Sequence, residues 1–150
     1  MHNSNKTLII VPCGKKKIWD KTPSASPTPA RHAYTSNYFK LCVQYAEKFL
    51  DKWVIFSGKY GLISPYFIID NYDTKVKVTN GFRNKVKEQL EPFISSGCSS
   101  FISLCGQEYS KILRDIVEPI DLKLYTPLEG LRIGIRQKRI KDCLEHNIPL

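Results

Sequence analysis

A glycine-flanked stretch that follows an apolar run carries side chains suited to a phosphate or a flat ring. The stretch consists of Ser57, Gly58, Lys59, Tyr60 and Gly61. The Lys59 ammonium group suits a phosphate or a developing negative charge, the Tyr60 ring suits stacking on a base, and Ser57 offers a hydrogen bond. The glycines allow a tight turn or a close approach of the backbone to a ligand. We predict one wall of a ligand site here. The alternative is a turn in which the glycines only satisfy backbone geometry.

A second glycine-and-lysine turn follows the first apolar run of the chain. It contains Cys13, Gly14 and three consecutive lysines at residues 15–17. The turn lacks the spacing of a phosphate-binding P-loop, but we expect one lysine, Lys16, to face a phosphate while the others are solvated. Neighbouring positive charge would stabilise a Cys13 thiolate. The alternatives are a basic surface turn and a buried, unreactive thiol.

A polar segment before the first long helix and two carboxylates after the Lys59 turn complete this part of the predicted site. Tyr34, Thr35 and Ser36 lead into a helix whose N-terminus attracts anions. Thr35 and Ser36 also fit simple helix caps. Asp70 and Asp73 are candidates for a general base that orients a water. Exposed turn residues are the alternative for both aspartates.

Two later stretches of the chain add glycine and arginine candidates. Gly106 and Tyr109 follow the third apolar run, where a close ligand approach and an ordinary helix start both fit. Arg132 and Arg136 belong to a basic helical stretch that suits a phosphate backbone or forms a solvated face. The three histidines lie far apart and the five cysteines form no CxxC pair. We therefore expect neither a metal site nor a cofactor.

The elements that must position these residues follow from the apolar pattern. Four buried strands are predicted from continuous apolar runs at residues 6–11, 53–56, 100–104 and 122–125. Helices are predicted from apolar residues at helical spacing over residues 35–50, 81–94, 108–117 and 131 or 135 to 145. Residues 13–33 are predicted to form a long irregular loop.

The alternation of strands and helices predicts an α/β fold in a single domain over residues 1–150. We expect a three-layer sandwich around a mainly parallel four-stranded sheet with strand order 2-1-3-4. Ligands bind such sheets beyond the carboxyl ends of the strands, where the glycine-containing turns are predicted to lie. We therefore expect the two lysine-containing turns to face each other across one site.

Positive charge is concentrated near the first turn. Residues 1–50 carry eight Lys and Arg against two Asp and Glu, whereas residues 51–100 carry seven against five and residues 101–150 eight against seven. A polyanionic or phosphate-bearing partner is expected, with a solubilising surface as the alternative. No apolar run approaches the ~20 residues of a membrane helix, and the polar start is unlike a signal peptide. We therefore expect a cytoplasmic protein without a membrane partner.

Four motifs in order along the chain resemble a bacterial and phage family known mainly as a domain of unknown function. They are Pro12-Cys13-Gly14-Lys15-Lys16-Lys17, Ala33-Tyr34-Thr35-Ser36, Ser57-Gly58-Lys59-Tyr60-Gly61-Leu62-Ile63 and Pro127-Leu128-Glu129-Gly130-Leu131. The Tyr-Gly-Leu loop is also similar to the YaaA peroxide-stress proteins, and the Cys-x-x-Lys opening to a domain of archaeosine-type tRNA-modifying enzymes. These resemblances imply a nucleic-acid or nucleobase setting. The expected sheet is similar in outline to uracil-DNA glycosylases, although their Gly-Gln-Asp-Pro loop is absent from this sequence.

Two hypotheses from different classes follow. In the first, the protein is an enzyme that acts on an N-glycosidic bond of a nucleotide or nucleic acid. The loops then hold phosphate and sugar, Tyr60 or Tyr34 stacks on the base, and Asp70 or Asp73 orients a water. In the second, it is a non-catalytic nucleic-acid-binding module whose positive charge contacts phosphates. A small-nucleotide sensor is a third option.

Overall fold

One five-stranded sheet lies at the centre of the protein. The structure is a computed structural model that describes residues 6–49, 52–73 and 77–150. The strands of the described chain are β1 (Thr7–Pro12), β2 (Thr28–Pro29), β3 (Trp53–Ser57), β4 (Gly61–Ile63), β5 (Ile68–Ile69), β6 (Ser100–Ser103) and β7 (Lys123–Tyr125). The sheet has the order β4-β3-β1-β6-β7, while β2 and β5 form a separate antiparallel ribbon.

The four predicted strands are the parallel part of this sheet. β1 pairs in parallel with β3 on one side and β6 on the other, and β6 pairs in parallel with β7. These strands stand in the predicted relative order. The prediction of a four-stranded sheet is wrong, because β4 adds a fifth strand that runs antiparallel to β3. β4 has three residues, which is too short for a periodic pattern to be recognised.

Helices cover both faces of the sheet. They are α1 (Ala30–Ala33), α2 (Asn37–Phe49), α3 (Asn80–Ser95), α4 (Gln107–Val117) and α5 (Ile133–His146). The long helices agree with the predicted spans to within about two residues at each end. Among the described residues, none of these helices has both the length and the apolarity that a membrane crossing requires.

Strand β1 separates two hydrophobic cores. Ile9 and Val11 pack into one core, which also contains Phe39 of α2 and Ile140 of α5. Leu8 and its neighbours on the other face pack into the second core, with residues of α3 and α4. Successive strand side chains point to opposite faces, so a strand buried on both faces needs the continuous apolar run that the sequence shows. The protein is therefore a three-layer α/β structure.

Residues 13–33 are more structured than the predicted loop. They include a 3₁₀ turn at Ile18–Asp20, strand β2 and helix α1. The turn buries Trp19, whose Nε1 donates a hydrogen bond to the Ala25 carbonyl at 2.9 Å. Pairing of β2 with β5 ties the end of the segment to residues 68–69. Contacts between residues distant in sequence therefore fix a segment that has little local structural signal.

Candidate ligand site at the strand ends

The two predicted lysine turns lie next to each other at one edge of the sheet. β1 and β3 are parallel neighbours, with Pro12 paired opposite Phe56, so their carboxyl ends lie side by side. β6 is the other neighbour of β1, which places the turn at Gly106 on the opposite side of β1. The chain order reverses between β1 and β6, and open α/β sheets bind ligands at such points.

The Tyr72 hydroxyl joins the segments that surround these turns. It shares a hydrogen bond with the Tyr34 hydroxyl at 2.7 Å and another with Ser57 Oγ at 3.1 Å. Burial raises the pKa of Tyr72 to about 12 and also raises the pKa of Tyr34. Both phenols are therefore neutral at neutral pH and act as hydrogen-bond donors and acceptors. We call Cys13, Tyr34, Ser57 and Tyr72 the Tyr72 cluster.

Two lysines from the two turns approach the Tyr72 ring. Lys17 Nζ lies 4.3 Å from the ring centroid, and Lys59 Nζ lies 5.7 Å from it. Lys59 Nζ is also 5.2 Å from the Tyr60 centroid. These distances fall within the range of cation–π interactions. No ion pair within residues 6–49, 52–73 and 77–150 involves either lysine. The positive charge of the pair is therefore not matched by a carboxylate there.

Cys13 lies at the base of the site as a buried thiol. It is 6% exposed, and burial raises its pKa. A hydrogen bond with the Gly58 backbone, one with the Tyr72 hydroxyl and the charge of Lys17 oppose this shift without cancelling it. The thiolate that the lysine run would stabilise is therefore not favoured, because desolvation outweighs these hydrogen bonds and the Lys17 charge. Cys13 contributes a neutral thiol to the Tyr72 cluster.

The turn after β3 is organised by a serine. Ser57 is fully buried and its Oγ accepts hydrogen bonds from the backbone N–H groups of Lys59 and Tyr60, both at 3.2 Å. This local pattern is typical of serine in turns. It fixes the backbone from which the Lys59 and Tyr60 side chains extend towards Tyr72.

Gly61 has a geometric role. Its φ is +75°, and a Cβ there would collide with the side-chain amide of Gln89 from α3. That amide donates to the Tyr60 carbonyl at 2.9 Å and accepts from the Leu62 N–H at 2.7 Å. Gly61 therefore serves backbone geometry and packing, as the alternative to a ligand role predicts. Lys59 and Tyr60 remain the candidates for ligand contact.

The first turn packs against the start of α2. Gly14 has a φ of +80°, and a Cβ there would lie 3.1 Å from Ser36 Oγ. Ser36 Oγ accepts a hydrogen bond from the Phe39 N–H at 3.2 Å, as a helix cap does. The Thr35 N–H donates to the Lys16 carbonyl at 3.0 Å. Thr35 and Ser36 therefore both hold local structure at a place that borders the site.

Lys17, rather than Lys16, points to the Tyr72 cluster. Lys16 is exposed, whereas Lys17 is 9% exposed. The physical reason is that Lys17 forms an antiparallel β-bridge with Tyr34, and successive residues of an extended chain point in opposite directions. Lys17 therefore occupies the place that was predicted for Lys16.

The end of β6 brings together some of the remaining candidates. Arg136 Nη1 lies 3.9 Å from the position that a Cβ on Gly106 would occupy, and Arg136 Nε donates to the Leu131 carbonyl at 2.8 Å. The Tyr109 ring stacks on Phe56 with centroids 4.4 Å apart. Gly106 and Arg136 therefore share one side of the strand ends. Arg132, by contrast, is an exposed residue immediately before α5.

The two aspartates lie at the surface. Asp70 and Asp73 are both exposed. Asp70 Oδ1 accepts a hydrogen bond from the adjacent Asn71 N–H at 2.8 Å, which matches the turn alternative. No hydrogen bond within the described ranges links either carboxylate to the Tyr72 cluster. Their catalytic roles, like that of Lys59, remain predictions.

Tyr72 and Gln89 are the organising residues that sequence reasoning did not select. Tyr72 stood between the two aspartates as an aromatic residue in a polar, irregular segment, which was a usable signal. Gln89 lay on the polar face of a predicted helix and gave none. Its role depends on how α3 packs against β4.

Comparisons with known proteins identify a family without an assigned activity. A family model described as "Family of unknown function (DUF6884)" matches residues 8–142. An uncharacterised protein of Bacillus subtilis (strain 168), YfjM, is 36% identical over 116 residues, which cover 75% of this chain and 77% of YfjM. A solved structure described as "Crystal structure of AF0587, a protein of unknown function" has a TM-score of 0.48 and 12% identity. The similarity covers 95% of this chain and 44% of that one.

Proposed function

We propose a function for this chain, which belongs to the DUF6884 family of unknown function: it binds a phosphate-bearing nucleotide or nucleic acid at the strand ends. The observation that carries the proposal is the lysine pair on the Tyr72 ring. Lys17 and Lys59 come from different turns, and their ammonium groups lie 4.3 and 5.7 Å from one centroid. An anion bound beside this ring would be attracted by both positive charges.

The surroundings of the lysine pair favour a ligand that has a ring as well as a phosphate. The half-buried Tyr60 contacts Tyr72 edge to face, with centroids 5.6 Å apart. The Tyr34 and Tyr72 phenols are neutral, so they do not repel an anion that is bound nearby. A nucleotide combines the phosphate, the ring and the polar groups that this environment suits.

The proposal is tested by measuring the binding of a fluorescently labelled oligonucleotide as salt is raised. Wild-type protein should lose affinity steeply, because each phosphate contact releases counterions. Lys17→Met and Lys59→Met should each weaken binding and reduce the slope of log affinity against log salt by about 0.7 for a single strand. Lys123→Met is the matched control, since Lys123 is exposed at the start of β7 and therefore at the opposite end of the sheet.

Two outcomes would contradict this proposal. One is wild-type protein that binds neither the oligonucleotide nor a labelled mononucleotide at low salt. The other is equal loss of affinity in the Lys123→Met control, which would assign binding to the overall charge of +9. Circular dichroism of each variant shows whether the fold is retained.

Hydrolysis of an N-glycosidic bond is the second candidate function. We keep the similarity in outline between this fold and the uracil-DNA glycosylases as a proposal beside it. The sequence feature that favours this hydrolysis is the position of Asp73 directly after Tyr72, although its carboxylate is exposed. Incubation with DNA, tRNA and free nucleotides, followed by mass spectrometry, should detect a released base. If Asp73 orients the water, Asp73→Asn should abolish the release and Asp70→Asn should leave it unchanged. The reverse result would assign the role to Asp70. Absence of a released base from every substrate would reject this candidate.

A further inference from the structure

Three consecutive large apolar residues are exposed beside the proposed phosphate site. Tyr66, Phe67 and Ile68 are 69%, 47% and 60% exposed, respectively. They lie where the chain enters β5, and β5 pairs only with the two-residue strand β2 among the described elements. Contiguous apolar surface next to polar groups marks a binding surface more often than isolated exposed residues do.

Ring contacts connect this surface to the Tyr72 cluster. The Tyr72 and Tyr60 rings meet edge to face at 5.6 Å, and the Tyr60 and Phe67 rings meet edge to face at 5.7 Å. An unbroken series of aromatic side chains therefore runs from the lysine pair to the exposed Phe67. Burial decreases along the series from the half-buried Tyr72 and Tyr60 to Phe67.

Positive side chains accompany the aromatic series. Lys59 Nζ lies 5.2 Å from the Tyr60 centroid. Arg31 lies with its Cζ 5.6 Å from the centroid of Tyr66, the residue before Phe67, and donates to the Tyr66 hydroxyl at 3.2 Å, while its other amino group pairs with Glu47. Aromatic faces that alternate with cations are the arrangement with which proteins hold unpaired bases and their phosphates.

We infer that the aromatic surface at Tyr66 and Phe67 binds unpaired bases of a single-stranded nucleic acid whose phosphate contacts Lys17 and Lys59. The inference rests on the proposed function and specifies its ligand. A duplex keeps its base faces stacked inside, so they are not free to stack on Phe67. A mononucleotide at the lysine pair would leave Phe67 uncovered, because Tyr60 stands between them. Within the part of the chain that the structure describes, no carboxylate pairs with Lys17 or Lys59, and this positive charge favours a polyanion over an apolar protein surface.

Backbone hydrogen bonds hold this surface in place independently of its side chains. The Ala30 N–H donates to the Phe67 carbonyl at 2.8 Å, and the Phe67 N–H donates to the Ser64 carbonyl at 3.0 Å. Substitution of the exposed Phe67 side chain therefore changes the surface while these bonds remain. This makes Phe67 the most informative position for a test.

The test compares two labelled probes of equal phosphate number, an oligothymidylate and an abasic oligomer of about 12 units, at one salt concentration. Wild-type protein should bind the oligothymidylate about tenfold more tightly than the abasic oligomer, because only the first can stack. Phe67→Leu keeps the apolar bulk without an aromatic face and should remove most of this preference. Phe67→Trp should retain it. Tyr125→Leu, at an aromatic residue that is 51% exposed on β7, is the control and should leave the preference unchanged.

The outcomes separate this inference from the proposed function. Equal binding of both probes by wild-type protein, or a preference that Phe67→Leu leaves intact, overturns base stacking while phosphate binding stands. A duplex bound more tightly than the single strand overturns it as well. Failure of the wild type to bind either probe overturns the inference, and failure to bind a labelled mononucleotide as well rejects the proposed function itself. A preference lost in Phe67→Leu and kept in Phe67→Trp supports both.

Discussion

The Lys17 ammonium group lies 4.3 Å from the centroid of the Tyr72 ring, although the two residues belong to segments on different sides of β3 in the sequence. Lys17 is only 9% exposed and also donates to the Lys15 carbonyl at 3.2 Å. Its charge is thus held close to a ring whose hydroxyl bonds Tyr34 and Ser57. This pair joins the turn after β1 to the segment that follows β5, and it makes Tyr72 a suitable residue for mutation.

Tyr72→Phe should lower the free energy of unfolding by about 1 kcal/mol, because it removes the hydroxyl that bonds Tyr34 and Ser57 and keeps the ring near Lys17. Urea unfolding followed by circular dichroism measures the change. Tyr125→Phe is the control, since that side chain is half-exposed on β7, and it should unfold like wild type. Equal stability of Tyr72→Phe and wild type would show that water replaces these hydrogen bonds without loss.

Gly61→Ala should be more damaging, with a loss of about 2 kcal/mol in unfolding free energy. The residue has a φ of +75°, and the added Cβ would displace the Gln89 amide from its two backbone partners. Gly134→Ala is the matched control, because its Cβ would enter open space within α5. That change should be neutral or stabilise by up to about 1 kcal/mol. A neutral Gly61→Ala in urea unfolding would contradict the geometry of the β3–β4 hairpin.

Glu129→Gln should reduce stability by about 1 kcal/mol near neutral pH and have little effect in acid. Burial would raise the pKa of Glu129, but hydrogen bonds from Thr126 and Arg114 and the Arg114 charge lower it below its ordinary value of 4.5. A lowered folded pKa gives stability that is present above 4.5 and lost as the pH falls further. Urea unfolding of both proteins at neutral and acidic pH tests this.

Glu118→Gln is the control for the Glu129 substitution. Glu118 contacts the same Arg114 at 3.7 Å but is 60% exposed, whereas Glu129 contacts it at 2.8 Å and is 22% exposed. An exposed pair contributes little, so Glu118→Gln should unfold like wild type. A constant difference between Glu129→Gln and wild type across the pH range would contradict the charge-based explanation.

Stability should fall in alkali because buried acids resist ionisation. Burial raises the pKa of Cys105 from 9.0 to about 12 and that of Tyr72 from 10.0 to about 12. The unfolded chain releases these protons at lower pH than the folded protein does. Each group's contribution to the free energy of unfolding is therefore full below its ordinary pKa and declines as the pH rises towards about 12. Each group accounts for a decline in the free energy of unfolding of up to about 1.4 kcal/mol per pH unit.

Two variants separate the cysteine and tyrosine contributions to the alkaline decline. Cys105→Ala should make the decline shallower from about pH 9, whereas Tyr72→Phe should do so only above about pH 10. Urea unfolding at closely spaced alkaline pH values measures both slopes. Identical slopes in wild type and both variants would contradict the burial of these groups.

Sequence reasoning found the regular part of the fold because its signals are local. A strand buried on both faces needs an unbroken apolar run, as in β1 and β3, and an amphipathic helix repeats its apolar residues every three or four positions. These patterns located the four parallel strands and the four long helices. Strand β4 and the β2–β5 ribbon have only two or three residues per strand, so their pairing depends on partners elsewhere in the chain.

The neighbourhood of the two lysine turns was easier to predict than the arrangement of side chains within it. Strand-end glycines and lysines predicted that the turns lie together, because parallel neighbouring strands place their carboxyl ends side by side. The selection of Lys17 over Lys16 follows from a bridge to Tyr34, and the central position of Tyr72 follows from bonds to residues 15 and 38 positions earlier. The low exposure of Cys13, which keeps it a neutral thiol, likewise results from packing that the sequence does not display.

The hairpin formed by β3 and β4 carries Lys59 and Tyr60 within one continuous piece of chain. Ser57 Oγ accepts the hydrogen bonds that close its turn. Gln89 of α3 forms hydrogen bonds with the backbone of residues 60 and 62 and so ties the hairpin to that helix. Lys59 and Tyr60 therefore stand on a turn that α3 supports from outside the parallel part of the sheet, so a change in the packing of α3 would move both side chains together.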